Sequence, residues 1–237
     1  MAVDLARSSV WSAAQDAATL KSIFGTITAE SCPRSFNFHI HTVCSDGRLQ
    51  PEQVVQQAIE IGLTGLAITD HHSVKGYHQA QQWLEDWLWS SSGQAHLQSA
   101  PRLWTGMEIN AELLETEVHV LAYAFCPDHQ ALYPYQQGTA PVGEAYAAAR
   151  VVKSIHAAGG LAVLAHPARY RRSAADLIIE AARLGFDGIE TYYSYNNSSP
   201  WQPSPQQTQQ AEALGTAHGL LHTCGTDTHG LSLLLRL

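Results

Sequence analysis

The chain has no run of about 18 apolar residues, which leaves out a membrane-spanning helix. Its opening stretch, MAVDLARSSVWSAAQD, has no long apolar core, so no secretory signal is expected. Cysteine is scarce. Cys32, Cys44, Cys126 and Cys224 form no CxxC pair and no ladder of short spacings, which argues against a disulfide scaffold and for reduced thiols in the cytoplasm. In that compartment the Asn197-Ser198-Ser199 sequon carries no weight. Charge is also sparse, at 14% of residues, and its balance is negative, with 13 Lys and Arg against 21 Asp and Glu. A net charge of −8 excludes a broad basic surface for nucleic acid. It does not exclude anionic substrates, because bound cations can dominate the field of a site.

What the sequence does have is histidine. Its 13 histidines equal its lysines and arginines combined, and histidine is both the commonest metal ligand and the usual proton carrier near neutral pH. The remainder is globular in composition, with 45% hydrophobic residues in 237. No internal repeat is present. Residues 1–35 read as a helical lead-in, with Trp11, Leu20, Ile23 and Phe24 as packing residues. From residue 36 to 237, short apolar runs alternate with helical patterns. Strands are expected at 36–38, 63–69, 102–109, 118–125, 161–165, 188–191 and 220–225. Helices are expected at 51–61, where Pro51 fits the first turn and Gly62 the end, and at 76–89, 144–158, 174–184 and 206–218. Trp83, Trp87 and Trp89 read as packing residues of their helix. Alternating strands and helices point to an α/β sheet or barrel.

The polar residues fall at the strand ends, where barrel enzymes collect their active sites. His39 and His41 follow one strand, and alternation puts both imidazoles on one side. Asp70-His71 follows another, Glu108 and Glu190 end two more, and His166 and Asp227-Thr228-His229 follow others. Glu108 is apolar on both sides, so its charge must be paired, neutralised or metal-bound. Any one of these has an ordinary structural explanation: Asp46 can cap a turn, and His119 can be a hydrogen-bonded core histidine. Six histidines and three acids placed alike are hard to obtain that way.

Phe38-His39-Ile40-His41-Thr42, Ser45-Asp46-Gly47, Ile68-Thr69-Asp70-His71, Gly106-Met107-Glu108, His119-Val120-Leu121, Ala165-His166-Pro167 and Gly225-Thr226-Asp227-Thr228-His229 resemble, in order and spacing, the successive motifs of the PHP (polymerase and histidinol phosphatase) family. The resemblance covers about residues 36 to 230. It implies an α/β fold, a distorted (β/α)7 barrel related to amidohydrolases, with two or three divalent metals. It also implies that His39, His41, Glu108 and Asp227 hold one metal. Glu108 would bridge to a second held by His119 and His166, and Asp46, His71 and His229 would hold a third. All nine positions carry competent ligands. The donors are all nitrogen and oxygen, which suits Mn²⁺, Zn²⁺ or Fe²⁺.

The expected chemistry is hydrolysis of a phosphate ester by metal-activated hydroxide, with Glu108 bridging and Asp227 orienting the nucleophile. Arg169 is the expected phosphate partner and Arg171 a weaker one, both leaving the strand end that carries His166, with Lys75 and Asn196 as further substrate contacts. Arg172 stands in the same loop as a lesser candidate. Tyr192, Tyr193 and Tyr195 fit rim packing better than base stacking. The substrate expected is a 3′,5′-bisphosphonucleotide or the 5′ end of a short oligonucleotide. Histidinol phosphate is the alternative, and a non-catalytic metal-stabilised binding module is a third reading. Only the loop at 126–143 and one helix separate His119 from His166, which implies an open site. No further domain is expected after His229, and the oligomeric state is left open.

Overall fold

The structure is a computed structural model that describes residues 14–90, 93 and 100–237. Trp11 lies outside the described residues. Helix α1 spans Ala17–Phe24, capped by the Asp16 carboxylate, which accepts from the Thr19 amide at 3.0 Å. Then follow β1 (Phe36–Asn37), α2 (Pro51–Ile61), β2 (Gly65–Ala67), α3 (Lys75–Trp89), β3 (Arg102–Trp104), β4 (Gly106–Leu113) and β5 (Thr116–Tyr123). After β5 come α4 (Ala148–Ala157), β6 (Leu161–Leu164), α5 (Ala174–Arg183), β7 (Gly188–Tyr192), α6 (Pro205–Ala217) and β8 (Leu221–Cys224). Short 3₁₀ turns lie at Gln130–Tyr135, Gly143–Tyr146 and Pro167–Arg169. Helix α2 has the bounds its sequence signals imply. Pro51 opens it, and Gly62 ends it at φ 81°, a left-handed conformation that costs glycine little.

The strands form two sheets rather than one regular barrel. β1, β2 and β3 run parallel in that order. β4 to β8 form the second sheet in chain order, with β5 antiparallel to both neighbours and β6, β7 and β8 parallel. Hydrogen bonds link the two sheets on both sides. The Phe38 amide donates to the Cys224 carbonyl at 3.0 Å, and the Glu108 amide to the Asp70 carbonyl at 3.2 Å.

Two expected elements are broken. The strand read as 102–109 divides at Thr105, whose amide turns to the Ala14 carbonyl and whose hydroxyl turns to the Phe125 carbonyl. The first half then pairs with β2 and the second with β5. The helix read as 144–158 begins only at Ala148, because Ala147 is extended and bridges Glu112.

Apolar side chains fill three regions. Leu20, Phe24 and Ile27 pack with Phe38, Trp104 and Tyr123, so the helical lead-in shares a core with the strands. Val54, Val55 and Ala58 of α2 meet Tyr77, Ala80 and Leu84 of α3 around Ile40 and Leu66. Helices α4 and α5 cover β4 to β6 through Val151, Ile155, Leu177 and Ile178. Trp83 and Trp87 pack as expected, but Trp89 is exposed.

Phe24 sets its ring edge-on to Phe38 at 5.1 Å and to Tyr123 at 5.5 Å. Phe24→Ala is expected to cost about 3–5 kcal/mol of unfolding free energy, the usual penalty for emptying a buried aromatic site. Urea denaturation measures it, and a loss below about 1 kcal/mol would show that α1 is not part of the core.

Candidate metal centre

Each candidate ligand owes its place to backbone pairing. Residues 38–41 continue β1 and are bonded on both sides. The Asp227 amide donates to the His39 carbonyl at 2.9 Å, the His41 amide to the Thr228 carbonyl at 3.1 Å, and the Thr69 amide to the Ile40 carbonyl at 2.8 Å. Alternation sends Phe38 and Ile40 into the apolar regions and His39 and His41 to the opposite side. The end of β8 comes close because Gly225 lacks a Cβ, which would lie 2.2 Å from that of His39. The backbone of His71 bridges Glu108, and the His72 amide donates to the Glu108 carbonyl at 2.9 Å. Asp70 fastens the loop that carries Asp46. Its Oδ1 accepts from the Thr42 amide and the Ser45 hydroxyl, both at 2.7 Å, and its Oδ2 from the Thr42 hydroxyl at 2.7 Å.

Glu108 stands at the centre, buried in β4. Its Oε2 lies 3.0 Å from both His39 Nε2 and His41 Nε2, and Asp227 Oδ1 lies 3.4 and 3.2 Å from the same nitrogens. Its Oε1 faces His119 Nδ1 at 2.8 Å and His166 Nε2 at 3.5 Å. Asp46 Oδ2 faces His229 Nε2 at 3.1 Å and His71 Nε2 at 3.8 Å, and Asp46 Oδ1 faces His41 Nδ1 at 3.4 Å. His71 stands between two groups, because its Nε2 is also 3.6 Å from Glu108 Oε2. All nine expected ligands therefore converge on one region. Donor atoms close enough together to share an ion include those of His39, His41, Glu108 and Asp227, of His71, Glu108 and His119, and of His41, Asp46, His71 and His229.

Without metal, the carboxylates and histidines of this cluster hold one another's charges. Burial alone would keep Glu108 and Asp227 neutral, but the surrounding histidines, His39 foremost, hold both carboxyls well below the ordinary range. Burial likewise opposes a charge on His39, yet Glu108, Glu190 and Asp227 hold its imidazolium well above the usual value. His41 is burdened by burial too, but bonds to Asp227 and Glu108 raise it to about 9. Burial wins at His71, which falls to about 4.

The residues also fit metal ions by geometry and donor chemistry. Ligand atoms about 2.0–2.2 Å from a shared ion stand roughly 2.8–3.6 Å from one another, and the first group spans 3.0 to 3.4 Å. His39 Nε2 and His41 Nε2 face each other at 3.1 Å, within the spacing expected of two ligands on one ion. Both ring nitrogens of His166 and the Nδ1 of His41 are buried without a hydrogen-bond partner.

A match to the PHP domain model covers residues 37–170, more than half of the chain. The chain belongs to the PHP domain family. Over 82% of its length it is 26% identical to the 5′-3′ exoribonuclease Rnm of Escherichia coli K12, covering 85% of that protein. It is 25% identical to a 5′-3′ exoribonuclease of Haemophilus influenzae over 66% of its own length and 78% of the relative's. Among solved structures, an amidohydrolase from Chromobacterium violaceum with bound sulfate shares the fold at a TM-score of 0.65 and 19% identity, over 86% of this chain and 90% of that one. A Bifidobacterium adolescentis protein named for metal-dependent phosphoesterase activity does so at 0.62 and 22%, over 84% and 88%. As a PHP-domain protein the chain is a metal-dependent hydrolase, a phosphoesterase in reaction class.

The expected substrate contacts divide. Arg169 reaches the cluster, donating to Asp227 Oδ2 at 3.0 Å and to the Tyr193 hydroxyl at 3.2 Å. Arg171 and Arg172 are exposed and line a pocket of about 640 Å³ with Glu115, Glu117 and Arg169. Arg172 is half-committed to Asp176, 3.6 Å away. Lys75 and Asn196 are exposed. Tyr193 and Tyr195 are packed ring against ring at 4.8 Å, but the Tyr193 hydroxyl also donates to Asp227 Oδ2 at 2.7 Å, so it belongs to the site and not to the rim alone.

From sequence, Glu190 and Arg236 were given no role and Tyr193 only rim packing. Glu190 Oε1 lies 2.9 Å from His39 Nδ1, and its Oε2 accepts the His166 amide at 2.9 Å. Its place at a strand end was the available signal. A carboxylate on the far nitrogen fixes which ring nitrogen faces the metal, and loss of such a partner typically costs about 10–100-fold in metal affinity. Glu190→Gln is expected to weaken binding of the tightest metal by that factor. Titration against a competing chelator measures it, and unchanged affinity would leave Glu190 a packing residue only.

Proposed function

We propose that this chain hydrolyses phosphate esters of nucleotides, with a 3′,5′-bisphosphonucleotide or the 5′ end of a short oligonucleotide as substrate. The observation that carries this reading is the division of Glu108 between two groups of donors, Oε2 toward His39 and His41 and Oε1 toward His119 and His166. Two or three ions of Mn²⁺, Zn²⁺ or Fe²⁺ held by the nine residues would supply an acidified water and charge neutralisation at the phosphoryl group. His39, His41, Glu108 and Asp227 would hold the first, Glu108, His119 and His166 the second, and Asp46, His71 and His229 the third.

The protein's own groups do the rest. Glu190 keeps His39 aimed inward. Asp227 keeps Oδ1 toward the histidines while its Oδ2 is occupied. Arg169 stands at the lip of the cluster with part of its fork exposed, where it meets a phosphoryl oxygen. The aligned exoribonucleases favour a nucleic-acid end over histidinol phosphate. The net charge of −8 favours short substrates over duplex or long single strands.

The metal-binding part is taken as residues 36–237 and residues 1–35 as its lead-in, because all nine candidate ligands lie between His39 and His229. The connections link the two sheets in a manner consistent with a distorted (β/α)7 barrel. No helix among the described residues is long and apolar enough to cross a membrane, and four free thiols support a cytoplasmic location.

The test is phosphate release by the Mn²⁺-reconstituted protein from 3′,5′-bisphosphoadenosine, a 5′-phosphorylated RNA oligonucleotide, histidinol phosphate and an aryl phosphate, with Asp46→Ala and His71→Ala as controls. Preferred turnover of a nucleotide substrate, lost in the controls, supports the reading. Histidinol phosphate as the best substrate would replace it, and a folded, metal-loaded protein inert on all four would end it.

A further inference from the structure

Asp227 presents its two carboxylate oxygens to different partners. Oδ1 faces His39 and His41. Oδ2 accepts from the Tyr193 hydroxyl at 2.7 Å, Arg236 Nε at 2.9 Å and Arg169 Nη1 at 3.0 Å. Two guanidiniums therefore meet on one oxygen. They carry roughly ten N–H donors between them, and Asp227 is the carboxylate that both reach among the described residues. One negative charge, itself directed at the histidines, balances one of the two arginines. Two guanidiniums and the one carboxylate they share stand beside the donor cluster. Arg169 is 39% exposed and Arg236 17%, so both are open to a solute.

The position of Arg236 is built by the fold. Its carbonyl accepts from the amides of His229 and Gly230, at 2.6 and 3.1 Å. Gln57 clasps the preceding turn, accepting from the Leu233 amide and donating to the Leu231 carbonyl, both at 3.0 Å. Asn37 donates to the Leu233 carbonyl at 3.2 Å, and the Thr228 hydroxyl to the Leu235 carbonyl at 3.0 Å. Leu233 is fully buried. Arg236 engages Asp227 through Nε, the base of its fork, and its guanidinium also interacts with the Tyr193 side chain.

We propose that Arg236 is a substrate-contacting residue, the second arm of a two-guanidinium clamp that it forms with Arg169 around the phosphoryl group. Two planar forks converging from different elements suit a tetrahedral dianion, which offers several oxygens to both. Asp227 holds the two arms together until phosphate arrives and keeps their mutual repulsion low. This inference rests on the phosphoesterase reading above.

The experiment titrates inorganic phosphate into the Mn²⁺-loaded full chain by calorimetry and measures KM and kcat on an aryl phosphate. Wild type is compared with Arg236→Gln and Arg236→Lys, with bound metal counted in each. Arg236→Gln is expected to weaken phosphate binding and raise KM by roughly 10- to 100-fold, the value of one or two charge-assisted hydrogen bonds. Metal content stays unchanged and kcat falls less than 1/KM. Arg236→Lys, which keeps the charge and loses the fork, lies between, and it supplies the same comparison should Arg236→Gln fold poorly. Unchanged phosphate affinity in these variants overturns the proposal. So does loss of bound metal with phosphate affinity intact, which would make Arg236 a positioning residue for Asp227. Wild type that binds phosphate through Arg236 but hydrolyses no ester keeps the clamp and removes the phosphoesterase reading. Hydrolysis by wild type with unaltered KM in both variants does the reverse.

Discussion

Glu108→Gln is expected to lower kcat/KM for any phosphate ester by more than about 100-fold and to release at least one metal ion, since changes one shell further out already cost up to that much. The side chains are nearly isosteric, so the effect isolates charge and lone pairs. Oε2 serves His39 and His41, and Oε1 serves His119 and His166. An amide supplies one carbonyl oxygen and turns an NH₂ donor toward the other pair of nitrogens, where lone pairs are required. It also removes a carboxylate that holds His39 charged in the metal-free protein. Steady-state kinetics together with elemental metal analysis decide the matter. A variant with full metal content and more than a tenth of wild-type activity would remove Glu108 from the centre of the site.

Chelation is expected to lower the melting temperature by about 10 °C. Ions present at about 1,000 times their dissociation constant add roughly 4 kcal/mol, and each kcal/mol moves a protein of this size by about 2–4 °C. The pH dependence of the two forms should differ, falling in the metal-free chain and nearly flat in the loaded one. In the metal-free chain, His41 is raised from its ordinary value to about 9. A group raised on folding contributes stability that is complete below its unfolded pKa and is lost as pH rises through the folded one. The chelated protein should therefore lose stability between about pH 6.5 and 9. Metal binding has to displace that proton, so apparent metal affinity should rise with pH over the same window, by up to about tenfold per unit for one proton displaced. Thermal melts with and without chelator at pH 6.5, 7.5 and 8.5 read both trends. Parallel pH profiles, or a melting temperature indifferent to chelator, would count against metal ions in this cluster.

The candidate ligands, which the fold brings together, stood out in the sequence because their signals are local. His39 and His41 sit two residues apart in an extended segment, Glu108 is a charge within an apolar run, and Asp227 and His229 follow the last strand. Helix α2 was legible for the same reason, since Pro51 and Gly62 act within a turn of where they stand. The break at Thr105 was not, because it depends on the carbonyls of Ala14 and Phe125, far from it in sequence. The late start of α4 depends on a bridge from Ala147 to Glu112. Trp89 has the same helical spacing as a packed residue and yet is exposed, because no neighbour covers it among the described residues.

The order and spacing of the metal motifs, the family they belong to and the alternation of strands and helices were determined by the amino-acid sequence, since each depends on residue type and short-range period. The second rank of the site was decided by tertiary structure alone. Glu190 becomes the partner of His39 only when β8 joins them, pairing with β7 on one side and with the extension of β1 on the other. Tyr193, Arg169 and Arg236, drawn from three separate segments, become partners only because one oxygen of Asp227 lies within 3.0 Å of all three. A hydrogen bond depends on distance and direction between atoms, and residues 34 and 58 positions from Asp227 gain both only when the sheets are assembled.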